Sequence, residues 1–188
     1  MWHGELMRVL VIGAAGKPGR AVTAALAQRG VSVRAAVRVA PSAHPGELGS
    51  VSSADSSGSG PAPTLVAAAG ATEVVAVDLE TGEGLIDATR GVDAIYHLAP
   101  NVHPDEVGIA RRVLDAAQAA GVRRFVFHSV LHPHDSAMPH HMRKAEAEEL
   151  VRGGIPEWTV LQPAAYMQNL VAAALAGRIA VPYSLDAP

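Results

Sequence analysis

Short runs of β-branched and apolar residues alternate along this chain with stretches in which apolar residues recur at helical spacing. Arg8-Val9-Leu10-Val11-Ile12 reads as a strand buried on both faces. Residues 18–29 follow at helical spacing, with Val22, Ala25 and Leu26 on one side and Arg20 and Gln28 on the other. Pro18 suits a first helical turn, where its missing N–H has no partner in any case, and Gly30 suits the end. The pattern then predicts a strand over 31–38, a short helix over 64–69, a strand over 73–77 and a short helix over 83–89. A strand over 92–98 leads to a helix over 105–120, which carries Val107, Ala110, Val113, Leu114 and Ala117 on one face. A strand over 124–129 precedes a charged helix over 140–152, stopped by Gly153-Gly154. A strand over 158–161 and a helix over 166–176 complete the alternation. Strands alternating with helices predict an α/β fold, a doubly wound parallel sheet of the Rossmann type.

One stretch breaks the pattern. Residues 40–63 are rich in Ser, Gly, Ala and Pro and hold too little apolar surface to order themselves. They are expected to form a flexible surface loop inside a single domain spanning 1–188. Composition narrows the function classes. The chain has no cysteine, so disulfide and thiolate chemistry are excluded. A net charge of −3 gives no attraction to nucleic acid. No apolar run approaches the roughly 20 residues of a membrane span, and residues 1–7 lack a signal-peptide layout. The expectation is a cytoplasmic protein with neither nucleic acid nor membrane as partner.

The most informative segment is the turn after the first strand, Gly13-Ala14-Ala15-Gly16-Lys17-Pro18-Gly19. A pyrophosphate needs backbone N–H groups, the positive end of a helix dipole and a chain that comes close without Cβ atoms. Gly13 would make the tight turn, Gly16 would let the backbone approach the phosphates, and Gly19 would allow helix and strand to pack closely. The spacing is G-x-x-G-x-x-G, and the other reading of such a turn is an ordinary βα connection. The ribose is read at the end of the second strand, where an acid selects NAD and an arginine accommodates the 2′-phosphate of NADP. Arg38 stands there, with Arg34 on the same strand face, Lys17 in the turn and no acid at the strand end. This favours NADP(H) over NAD(H); otherwise Arg38 is a solvated strand-end charge.

These residues, with Val33-Arg34-Ala35-Ala36-Val37-Arg38, resemble the NmrA-like branch of the atypical short-chain dehydrogenase/reductase superfamily. Phe127-His128-Ser129-Val130-Leu131-His132-Pro133 resembles the branch's fifth strand and turn. His140-His141-Met142-Arg143-Lys144-Ala145-Glu146-Ala147-Glu148 resembles its active-site helix. Trp158-Thr159-Val160-Leu161-Gln162-Pro163-Ala164-Ala165-Tyr166-Met167-Gln168-Asn169 resembles its sixth-strand motif. The resemblance implies that Asp78 and Leu79 lie by the adenine and that Ala99 and Pro100 pass the cofactor with their backbone. It also implies that Ser129 stands near the nicotinamide and that Pro163 backs its ring. Extended members of the branch continue into a small substrate domain. Residues 164–188 would then be only its start, and that domain would be largely absent.

Reductases of the wider superfamily carry a Tyr-x-x-x-Lys pair whose two side chains share a helix face. Lys144 fits the lysine, but His140 stands where the tyrosine would be. His140 is a candidate proton donor, since its pKa lies near neutrality; alternatively it only caps the helix or lines the pocket. Lys144 is a candidate ligand of the cofactor ribose, or a solvated helix lysine. The catalytic candidates are thus Lys144, His140 and Ser129. His128, His132, His134, His140 and His141 cluster in sequence, but the nearby carboxylates Asp135 and Glu146 show no metal-ligand spacing, so no metal is expected. Two functions follow. One is an NADP(H)-dependent oxidoreductase of a small carbonyl or quinone. The other is a non-catalytic nicotinamide-nucleotide sensor, which the missing tyrosine favours. An exposed sheet edge or an uncovered substrate face would favour a homo-oligomer.

Overall fold

The computed structural model describes residues 7–38, 62–98, 100 and 102–177. Strands β1 (Arg8–Ile12), β2 (Ser32–Val37), β3 (Glu73–Ala76), β4 (Ala94–His97), β5 (Arg124–His128) and β6 (Glu157–Leu161) form one parallel sheet in the order β3-β2-β1-β4-β5-β6. The chain is therefore doubly wound, as its alternation predicts. Between β1 and β4 the crossovers diverge, leaving a crevice at the carboxyl ends of the strands, the place where such sheets bind ligands.

Helices α1 (Lys17–Ala27) and α2 (Ala62–Ala68) cover one sheet face, over Val9, Val11, Val33 and Ala35. Helices α3 (Leu85–Thr89), α4 (Glu106–Ala119) and α5 (Pro139–Gly154) cover the other, over Leu10, Ile12, Ile95, Phe125 and Phe127. Central strands buried on both sides explain the unbroken apolar runs of the sequence. On the α1 side, the sheet beyond β1 opens instead onto a cavity of about 350 Å³, lined by Met7, Leu26, Tyr96, Val126 and Thr159 among others.

Several predicted boundaries move. Of the predicted loop 40–63, residues 62 and 63 open α2, and 40–61 lie outside the described residues. Gly153 and Gly154 do not stop α5 but form its last turn. Glycine costs a helix interior about 1 kcal/mol, but here the Gly154 carbonyl accepts a 2.6 Å hydrogen bond from Gln118 Nε2 of α4, which holds the end in place. The predicted helix 166–176 is broken into a 3₁₀ turn, Met167–Asn169, and a short α6, Val171–Leu175. No helix among the described residues is long and apolar enough to cross a membrane.

Candidate functional site

The glycine turn sits between β1 and α1 at the divergence of the crossovers. Gly13 has φ +77°, a left-handed conformation that favours glycine. A Cβ on Gly13 would lie 2.5 Å from the Leu98 carbonyl oxygen at the end of β4. A Cβ on Gly19 would lie 2.1 Å from the Gly13 carbonyl oxygen and 2.8 Å from Ala14 Cα. These two glycines let the turn close on itself and on β4. Gly16 differs. It is exposed and extended, and its missing Cβ would meet nothing nearer than 3.4 Å. The Gly16 N–H donates to the Gly13 carbonyl at 3.2 Å. No side chain caps α1, and helix geometry leaves the first-turn N–H groups of Lys17 and Gly19 without intrahelical acceptors. Arg20 folds back and donates to the Ala15 carbonyl at 3.0 Å, bracing the turn. An uncapped helix start beside a Cβ-free, solvent-facing backbone fits a pyrophosphate.

At the end of β2, Arg38 is exposed, and two sequence expectations need correction. Arg34 does not join it. Its guanidinium pairs with Glu73 at 2.7 Å and donates to the carbonyls of Ala88 and Arg90, closing the carboxyl end of α3. Residues 34 and 38 share a strand face, yet four residues of strand separate them by about 13 Å. The strand end is also not free of acid. Glu80, from the loop after β3, comes within 3.9 Å of Arg38 and 3.5 Å of His103. Asp78, at the same edge, accepts backbone N–H bonds from Glu80 and Thr81. The Thr81 bond leads the effects that hold its carboxyl below the usual range. Leu79 is half-buried, and its carbonyl accepts from Arg112. Pro100 is half-exposed, and Ala99 lies outside the described residues.

Around β5 and α5 the catalytic candidates are held by acids that the sequence reading missed. Lys144 Nζ forms a 2.5 Å ion pair with Glu106 of α4, lies 5.3 Å from the Phe127 ring centroid, and is only 11% exposed. It is therefore not a solvated helix lysine. Ser129 is buried, and its hydroxyl donates to Glu148 Oε1 at 2.5 Å. Glu148 also receives Gln162 Nε2 and Arg152 Nη2, so it ties β5, α5 and the end of β6 together. The Ser129 proton is thus committed to an internal carboxylate. Pro163 accepts the Leu131 N–H at 2.9 Å, joining the loops after β6 and β5. His140 is in the first turn of α5, edge-on to His141. Burial first, then the charges of His141, Arg143 and Lys144, hold its pKa below the ordinary value. No group of His, Cys, Asp and Glu among the described residues is arranged to hold a metal.

Two further histidines emerge from the fold. His97 of β4 is fully buried, stacked on Phe127 at 5.6 Å between centroids, with neither ring nitrogen hydrogen-bonded. Burial, with help from the Lys144 charge, lowers its pKa to about 3, so it is neutral. His128, the last residue of β5, faces the opposite side of the sheet. Its Nδ1 lies 2.8 Å from the Tyr96 hydroxyl, and its Nε2 meets the Tyr166 hydroxyl. Glu106 and Glu148 had a sequence signal: each lies on its helix's buried stripe, with Ile109 and Ala110 or with Val151. The tyrosine partners had none, because nothing local joins them.

Sheet order, glycine turn and uncapped α1 define a Rossmann-type domain of the NAD(P)-binding kind. The chain belongs to the NmrA-like family, whose model matches residues 6–180. It is 32% identical over 100 residues to an NAD(P)H azoreductase of Xenophilus azovorans, a match covering 53% of this chain and 35% of the azoreductase. It superposes on an NADPH-dependent quinone oxidoreductase of Escherichia coli, solved with NADPH, with a TM-score of 0.67 and 23% identity. That match covers 89% of this chain and 53% of the oxidoreductase. A short-chain dehydrogenase/reductase superfamily protein of Agrobacterium tumefaciens, solved with NAD, is 34% identical with a TM-score of 0.57, over 82% of this chain and 48% of its own. The chain spans about half the length of these solved relatives and about a third of the azoreductase. One solved relative holds NADPH and another NAD.

Proposed function

We propose that this chain binds a nicotinamide dinucleotide across the carboxyl ends of β1 and β4 and acts as an NADP(H)-dependent oxidoreductase of a small carbonyl or quinone. The observation that carries the proposal is the turn from Gly13 to Gly19. Two of its glycines have no room for a Cβ, while the third faces solvent beside an uncapped helix start. The dinucleotide supplies hydride; the chain's residues bind and orient it and manage the proton. Gly13, Ala15, Gly16, Lys17, Pro18 and Gly19 cradle the pyrophosphate. Arg38 receives the 2′-phosphate, and on binding exchanges its long 3.9 Å contact with Glu80 for a closer anion. Asp78 and Leu79 line the adenine side, Pro100 passes the cofactor with its backbone, and Pro163 backs the nicotinamide. Lys144 serves the nicotinamide ribose while Glu106 fixes its ammonium. Membership in the family and the reductases among the relatives support this reading.

A second reading, a nicotinamide-nucleotide sensor without turnover, draws on one observation: the Ser129 hydroxyl is spent on Glu148. Calorimetric titration with NADPH and NADH tests binding. Consumption of NADPH in the presence of aldehydes and quinones then separates enzyme from sensor. Absence of binding to either dinucleotide would refute both readings.

A further inference from the structure

His128 stands between two tyrosine hydroxyls, Tyr96 at its Nδ1 and Tyr166 at its Nε2. The three groups come from β4, the end of β5 and the loop beyond β6, so they form a row across the carboxyl half of the sheet. Burial raises the pKa of both tyrosines, and burial with the Lys144 charge lowers that of His128. At neutral pH the row therefore contains two phenols and one neutral imidazole. A neutral imidazole has one donor nitrogen and one acceptor nitrogen. Three protons are present and the two hydrogen bonds use two of them. The third must point out of the row, from one tyrosine or the other.

The two ends differ in surroundings. Tyr96 is anchored within β4 and lines the 350 Å³ cavity on the sheet face, where water can enter. Tyr166 is half-buried in the loop beyond β6, three residues past Pro163. We propose that Tyr166 is the proton donor of this site, recharged from the sheet-face cavity through His128 and Tyr96. This rests on the reductase reading above. It moves the acid from His140, on α5, to a residue on the other side of the sheet.

The protons balance as follows. In the resting row Tyr96 donates to Nδ1, His128 Nε2–H donates to the Tyr166 oxygen, and the Tyr166 proton points outward. When hydride from the dinucleotide reaches the substrate carbon, the carbonyl electron pair moves to oxygen, which takes the Tyr166 proton. The Tyr166 phenolate takes the Nε2 proton, and Nδ1 takes the Tyr96 proton. Water in the cavity restores Tyr96, whose proton then points outward, so the row is left with the opposite polarity. Before the next turnover both hydroxyls rotate and the imidazole returns to the Nε2–H tautomer, losing the Nδ1 proton to water and gaining one at Nε2. One hydride and one proton are consumed per carbonyl. During the transfer itself the half-buried imidazole changes tautomer without holding a net charge.

The first measurement needs no turnover. In protein labelled with ¹⁵N-histidine, His128 should be the neutral Nε2–H tautomer. Tyr96→Phe should shift its Nδ1 resonance and Tyr166→Phe its Nε2 resonance. A resting Nδ1–H tautomer, an imidazolium, or shifts that ignore both substitutions would overturn the relay. The second uses NADPH with benzaldehyde and menadione. Tyr166→Phe should lower kcat by about 10²–10⁴-fold, the usual worth of a positioned acid, with little change in KM or in NADPH affinity. Tyr96→Phe, remote from the substrate, should lower kcat less and enlarge its solvent deuterium effect. Turnover unchanged in Tyr166→Phe overturns the relay alone. No turnover by the unaltered chain, with NADPH bound, removes the reductase reading and the relay with it.

Discussion

Replacing Gly16 by valine should abolish dinucleotide binding and leave the fold intact. Gly16 has φ −65° and ψ 161°, an extended conformation open to valine, and a Cβ there would meet only the Gly13 carbonyl at 3.4 Å and Pro18 Cδ at 3.9 Å. The folded protein should therefore melt within a degree or two of the unaltered chain. The added methyls face solvent, which is where the proposed pyrophosphate lies against the Lys17 and Gly19 N–H groups. Hydrogen bonds to charged groups are worth about 1.5–3 kcal/mol each. Loss of two costs about 3–6 kcal/mol, or roughly 10²–10⁴-fold in Kd at 1.4 kcal/mol per decade. Gly19→Ala is the contrast. Its Cβ would sit 2.1 Å from a backbone oxygen that cannot move without opening the turn. It should lose stability whatever the ligand, by about 1–3 kcal/mol or more. Calorimetric titration with NADPH, alongside melting followed by circular dichroism, separates the two. A Gly16→Val protein that melts normally and binds NADPH within about threefold of the unaltered chain (a difference of under 1 kcal/mol) would refute the phosphate role of the turn.

Arg38→Ala should erase a preference for NADPH over NADH of about ten- to a hundredfold, the worth of one charged hydrogen bond, and leave NADH affinity nearly unchanged; equal affinities in the unaltered protein would disprove the preference. Glu106→Ala leaves the Lys144 ammonium buried and unpaired, so urea denaturation should show a loss of about 3–5 kcal/mol, with Glu106→Gln milder. His97 supplies a pH dependence. Its folded pKa of about 3 lies below its ordinary 6.5, so between these values the unfolded chain binds the extra proton. Its contribution is intact above pH 6.5 and declines as pH falls toward 3, by about 2 kcal/mol at pH 5. Denaturation at pH 7 and pH 5 should show that difference shrink in His97→Phe; an equal decline in both proteins would contradict the buried neutral imidazole.

Local physics made the frame legible. The run Val9-Leu10-Val11-Ile12, the glycines that follow and Pro18 each state a backbone requirement within a few residues, and periodicity separates strand from helix without knowledge of neighbours. Hence the doubly wound parallel sheet and the turn from Gly13 to Gly19 could be read before the fold was seen. What each charged or aromatic side chain does could not. Arg34 and Arg38 look equivalent in sequence, yet one closes a helix end inside the protein and the other faces solvent. Lys144 and Ser129 were visible as candidates, but Glu106 and Glu148, which hold them, come from a different helix and from a point 19 residues further along the chain. Tyr96, His128 and Tyr166 are separated by 32 and 38 residues. A side chain's partner is set by which strands lie side by side and which face each residue presents. Those depend on the whole chain packing at once, so only the tertiary structure decided them.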